Sequence, residues 1–190
     1  MNKVVLFSFL VLSQSLPLVA APPKTVTAMK AKEIATEVLD PATRQRVIAI
    51  RGLRSMLSPV PVEWLIWFYD PNAVQNGRRV RVSSDNVTEI KEGFTEIGRA
   101  RLFPYQMEEV IPSDRLQVDS DEALARVMNL GPLKGRKVTS SLWELKKAKG
   151  NVPPLWHITL FTEVGGKEKL LAKVRLSAED GRLIELNLAN

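Results

Sequence analysis

The sequence predicts an α+β fold built from two tandem helix-plus-antiparallel-sheet repeats, and three observations carry that expectation. Residues 153–188 read PPLWHITLFTEVGGKEKLLAKVRLSAEDGRLIELNL, in which Trp156, Ile158 and Leu160 alternate with His157 and Thr159, and Val174 and Leu176 with Arg175 and Ser177. A period of two marks strands with one buried face. Gly165-Gly166 and Asp180-Gly181 punctuate these strands with residues that reach the positive φ of tight turns. The pattern also occurs earlier, in residues 61–90, where Trp64 matches Trp156, Ile66 matches Ile158, and Arg79-Val80-Arg81-Val82-Ser83 matches Lys173-Val174-Arg175-Leu176-Ser177. Each basic strand runs into an acidic turn, Asp85-Asn86 in one copy and Glu179-Asp180-Gly181 in the other. A spacing of about 92 to 94 positions makes each copy a unit of small-domain size.

Taken in order, residues 1–21 read as a cleavable export signal. Met1-Asn2-Lys3 is a basic start, Val4 to Leu12 is an apolar run broken by Ser8, and Val19-Ala20-Ala21 offers a small-x-small cleavage site after Ala21. The apolar run is shorter than the ~20 residues that span a bilayer, which argues against a membrane anchor. The expected location is therefore periplasmic or secreted. Cysteine is absent, which excludes disulfides, thiolate catalysis, thiolate metal sites and a lipidated N-terminal cysteine. The remaining chain of about 169 residues is long enough to rest on its core alone. Loss of Lys3 with the leader takes the formal net charge from +6 to +5, spread along the chain in the manner of ordinary solubility.

The first repeat is expected over residues 22–90. Thr27 caps a helix carrying Ala31, Ile34, Ala35, Val38 and Leu39 at helical spacing, and Asp40-Pro41 stops it. For residues 42–57, Val47, Ile50, Leu53 and Leu57 suit a second helix, although residues 46–50 also alternate as a strand. After Pro59 and Pro61, a strand carries Trp64, Ile66 and Phe68 on one face and Leu65, Trp67 and Tyr69 on the other. A strand apolar on both sides is either covered on both or presents an aromatic surface to a partner. Asn76-Gly77 predicts a hairpin, followed by a strand that sets Arg79 and Arg81 opposite Val80 and Val82.

Residues 91–117, with Gly93, Gly98, Pro104 and Pro112, read as a connector with one short strand. The second repeat, residues 118–190, opens with Asp119 and Glu122 at capping-box spacing and an apolar stripe of Leu124, Val127 and Met128, ended by Gly131-Pro132. Residues 137–148 then predict a strand with Val138, Leu142 and Trp143, and Lys149-Gly150-Asn151 turns the chain back.

DSDEALARVM as an opening helix, LWHITLF as a tryptophan-led strand and AKVRLSAEDGRLIELNL as the closing strands resemble a PepSY domain over residues 119–190. The first copy fits only in its sheet half. The resemblance implies a small unit of one helix on an antiparallel sheet. Such units occur in propeptides of secreted metallopeptidases, and tandem units of this shape are similar to the β-lactamase inhibitory protein fold. It implies a binding module for a protein partner in the cell envelope or outside it, with inhibition or modulation of a peptidase as the role to expect of it; no intrinsic turnover is expected of such a module.

Motifs for catalysis and cofactors are missing. His157 is the single histidine, expected on the polar face of its strand; no zinc motif, nucleophile elbow or phosphate loop accompanies it. No cofactor, metal or nucleic-acid partner is expected. The pairs Asp85 with Glu89 and Glu179 with Asp180 suit turns better than glycoside hydrolysis. Trp64 and Trp156 are expected in the core. Trp67 and Tyr69 beside Arg79 and Arg81 form the candidate partner-binding patch, since large aromatics and arginine commonly carry interface energy. The alternative partner is an anionic envelope component such as a lipid head group or wall polymer; an unrecognised hydrolase would need a deep pocket around His157.

Overall fold

The computed structural model describes residues 25–55, 58–93, 95–96, 99–100, 103–147 and 152–189. The expected leader and the expected turn at Lys149-Gly150-Asn151 lie outside the described residues. In chain order the elements are α1 (Ala28–Glu37), β1 (Val47–Leu53), β2 (Glu63–Tyr69), β3 (Gly77–Ser83), β4 (Asn86–Glu92), the two-residue strands β5 (Thr95–Glu96) and β6 (Arg99–Ala100), α2 (Ser120–Met128), β7 (Ser140–Lys146), β8 (Leu155–Val164), β9 (Lys167–Ser177) and β10 (Leu183–Leu188). Eight strands form one sheet in the order β10-β9-β8-β7-β1-β2-β3-β4, antiparallel throughout. This is an α+β architecture, with helices on one face of the sheet.

Helix α1 starts where Thr27 Oγ1 accepts from Lys30 N, and it buries Ala28, Ala31, Ile34 and Ala35. Beyond it, Asp40 accepts from Ala42 N and Thr43 N, closing the turn expected at Asp40-Pro41. A second helix does not follow. Residues 47–53 form strand β1, and the helical reading of residues 42–57 is corrected. β1 lies between β2 and β7 and is covered on both faces, so its apolar residues do not alternate strictly and a helical period fits them by accident. Val47, Ile48 and Ile50 are β-branched, which favours the extended form.

The hairpin expected at Asn76-Gly77 is also displaced. Gly77 is the first residue of β3 with φ −133°, while the positive φ angles fall on Gln75 and Asn76, at 54° and 55°. Glycine is required at 77 for space: a Cβ there would lie 2.7 Å from the Tyr105 ring. The turns at Gly165-Gly166 and at Gly181 have the expected positive φ.

In the connector, β5 pairs with β6, giving two minimal strands where one was expected. Tyr105 N donates to Gln75 O at 3.0 Å and Asn76 Nδ2 donates to Tyr105 O at 3.2 Å, pinning the connector to the β2–β3 loop. Ile111 N then donates to Val47 O at 2.7 Å, beside the bulge of β1. Asp119 caps α2, and Glu122 does not complete a capping box: its carboxylate turns forward to Arg126 at 2.6 Å. Asp119 Oδ1 accepts instead from both Ser120 N and Met29 N, and Ser120 Oγ accepts from Ala28 N. The first turns of the two helices thus share one carboxylate, which favours both positive dipole ends.

The main core lies between helices and sheet. Trp64, Trp143 and Trp156 are fully buried there, edge to face, with Trp156 centroids 6.5 Å from Trp64 and 5.6 Å from Trp143. Trp64 Nε1 donates to Val26 O and Trp156 Nε1 to Val118 O, each at 2.9 Å. Both indoles tie a strand to the residue just before the N-cap of a helix.

Candidate functional site

The face of the sheet away from the helices carries the polar halves of the alternating strands. Register places one residue from each of the eight strands in a continuous cross-strand row: Glu89, Arg81, Leu65, Arg51, Glu144, His157, Arg175 and Glu185. Strands spaced ~4.8 Å apart hold such a row rigidly, because every member is fixed by a ladder of backbone bonds. Its centre is the ion pair of Arg51 and Glu144, 2.9 Å across the β1–β7 seam. The outer charges mirror each other about that seam, Arg81 and Glu89 against Arg175 and Glu185, with His157 standing where the first half has Leu65.

The two halves of this face differ in cover. Over β1 and β2, Ile48, Leu65, Trp67 and Tyr105 form a second buried cluster, with Ala49, Leu53 and Tyr69 packed against it. Trp67 is only 3% exposed, and the Arg51 guanidinium lies 5.5 Å from its ring. All four residues of the expected patch lie on this face. Trp67 is registered with Arg79, and Arg81 with Leu65, while Tyr69 has Arg46 at 6.0 Å. Arg79 is bonded to Glu89 at 2.7 Å, and Arg81 lies 3.8 Å from Glu63. The aromatic strand is therefore apolar on both sides because it is covered on both, and Trp67 is the floor of a packed cluster.

Over β7 to β10 the face is open. Leu142 is 41% exposed. Two shallow depressions adjoin here, one of about 310 Å³ lined by Arg51, Leu142, Trp143, Glu144, His157 and Thr159, the other of about 200 Å³ lined by residues that include His157, Thr159, Lys173, Arg175, Glu185 and Asn187. Both contain His157 and Thr159. The deep pocket that an enzyme reading of His157 requires is not what surrounds it.

The electrostatics follow from this packing. Burial pushes the His157 imidazole pKa below its ordinary value, the Lys146 ammonium and Arg175 guanidinium push the same way, and the Glu144 carboxylate opposes them. The ring is neutral at neutral pH, and no described group hydrogen-bonds it. Burial pushes the Glu144 carboxyl up, but hydrogen bonds from Lys146 and Arg51 outweigh it and hold the group below the usual carboxylate range. Glu89 is held low by Lys91 and then Arg79. Among the described residues, no group of three or more metal-ligating side chains comes together. No helix of the described residues is long and apolar enough to cross a membrane.

Sequence reasoning did not single out Leu142, Thr159 or Lys173 as site residues. The available signal was the alternation itself, which sets Lys173 and Arg175 on the face of His157 as it sets Arg79 and Arg81 on the face of Trp67. In comparisons with known proteins, no family model, curated protein or solved structure matches the chain.

Proposed function

We propose that this protein is an exported, non-enzymatic binding module that engages a protein partner in the cell envelope through the open half of its sheet, with a peptidase as the partner class to test first. The observation that carries this reading is the unequal cover of one continuous face. The connector seals the β1–β2 half beneath Tyr105, while the β7–β10 half presents Leu142 and shallow depressions among fixed charges. A rigid sheet with polar side chains around a small apolar centre suits a docking surface of modest size. Shallowness disfavours turnover, which needs a site that excludes water.

The proposal includes two tandem PepSY-like repeats. Supporting it are the helix followed by four sheet strands on each side of the seam, the paired indole bonds to Val26 and Val118, and the mirrored outer charges of the row. In this reading the second repeat keeps its open face and the first has surrendered it to the connector.

The test is site-specific photo-crosslinking of residues 22–190 in the native envelope fraction, with the crosslinker at Thr159 or, as control, at Glu37 on the helix side. A single partner captured from Thr159, lost when Leu142 is changed to Asp, and not captured from Glu37 is the expected result. Equal capture from both positions, or none from Thr159, would sink the proposal. The captured protein is then assayed for peptidase activity with and without the module.

A further inference from the structure

The open half of the face holds an unspent cation beside an imidazole that no described group hydrogen-bonds. Lys173 forms no ion pair with any described residue, whereas Arg175 is engaged by Glu185, Lys146 by Glu144 and Arg51 by Glu144. Lys173 and Arg175 are two residues apart on β9, so their Cα atoms lie about 6.7 Å apart on the same face. Thr159 and His157 stand directly opposite them on β8. These four side chains line one depression, and the adjoining depression supplies the exposed Leu142.

Resting on the binding-module reading above, we propose that this depression recognises an acidic side chain of an extended peptide segment, its carboxylate accepting from Lys173 Nζ, the His157 ring N–H and the Thr159 hydroxyl, and a neighbouring apolar residue resting on Leu142. Lys173 supplies the charge that a carboxylate needs, and Thr159 directly opposite it and His157 beside Thr159 on the same face supply neutral donors within the same depression. A neutral imidazole donates one hydrogen bond without adding a second buried charge. Charge complementarity singles out a discrete acid over a polyanionic surface. Glu144, Glu185 and Glu89 share the row with Arg51, Arg175 and Arg81, so a flat anionic layer meets an almost balanced face, while a single carboxylate meets the local excess at Lys173.

His157 is the chain's single histidine and gives one set of imidazole signals in proton NMR, which makes the test direct. The full chain from residue 22 is titrated with a terminally blocked hexapeptide alternating leucine and glutamate. Its leucine-glutamine counterpart, inorganic phosphate and phosphatidylglycerol vesicles are run alongside. The glutamate peptide is expected to move the His157 signals saturably and to raise their titration midpoint, with affinity weakened roughly tenfold or more by Lys173→Gln. Lys173 is exposed and unpaired, so that variant folds; Arg175→Gln, which strands Glu185, is the secondary variant. Equal shifts from the glutamine peptide, shifts from phosphate or vesicles alone, or full affinity in Lys173→Gln would each overturn the proposal. Failure here with crosslinking from Thr159 intact overturns the acidic-peptide assignment alone; failure of both removes the binding face itself.

Discussion

His157 shows how one side chain reports its surroundings. The unfolded chain binds the imidazole proton with the ordinary pKa of 6.5, and the folded chain binds it less readily because burial and then Lys146 disfavour the cation, Arg175 adding to them and Glu144 only partly offsetting them. A depressed folded-state pKa means that stability rises with pH where the unfolded state holds more protons. The contribution is therefore complete above about pH 6.5 and is lost as pH falls through the lower folded-state value. Asp40 and Asp180, lowered chiefly by side-chain hydrogen bonds with Thr43 and Ser177, lose their contributions at more acidic pH, in the carboxylate range. Denaturant melts between pH 5 and 7 are expected to show a fall in stability toward pH 5 that His157→Gln removes. An identical slope in the variant would mean that another group titrates there.

At the scale of elements, the informative strand is β2. Its sequence, apolar at every position from Trp64 to Phe68, left cover or display undecided, and the choice was made by a segment some 40 residues downstream. Tyr105 lies on the β3 end at Gly77 and closes the cluster over Trp67. The extended backbone of Gly77 admits any residue, so Gly77→Ala acts only through the ring it displaces. It is expected to cost about 1 to 3 kcal/mol and to open Trp67 to solvent. Acrylamide quenching of tryptophan fluorescence checks this, since the three core indoles stay shielded; unchanged quenching would show that Tyr105 shifts without uncovering the indole. β1 teaches a related lesson: Val47, Ile50 and Leu53 satisfy a helical period while residues 46–50 also alternate, and pairing with neighbours on both edges decides for the strand.

Over the whole molecule, the two helix-and-strand units meet at three levels: the β1–β7 ladder, the edge-to-face tryptophans, and Asp119 with Ser120 at the abutting helix starts. None of these layers can open for one unit alone without exposing the other. Calorimetry is expected to show one cooperative transition, and Asp119→Ala to lower the stability of the whole by about 2 kcal/mol, since a single N-cap contributes ~1 kcal/mol and this one serves two helices. Two separated transitions, with only the later one sensitive to Asp119, would show that the units fold independently.

Local chemistry determined much of this protein from sequence alone. Thr27 and Asp119 start the helices because their side chains accept the free N–H groups of a first turn. Alternation defines β3, β8 and β9 because a half-buried strand sorts its residues by side, and Gly165, Gly166 and Gly181 turn the chain because they tolerate positive φ. The same alternation set Arg79 and Arg81 on one face of their strand and Trp67 with Tyr69 on one face of theirs, and the β2–β3 register joins the two. What only the tertiary structure decided is which parts of that face remain open, because cover depends on residues distant in sequence. Tyr105 closes the aromatic half, Glu89 and Glu63 engage its arginines, and nothing among the described residues closes the half around His157, Thr159 and Lys173. Strand register across eight strands, which joins residues 89 and 185 in a single row, is a long-range property that periodicity within a strand does not encode.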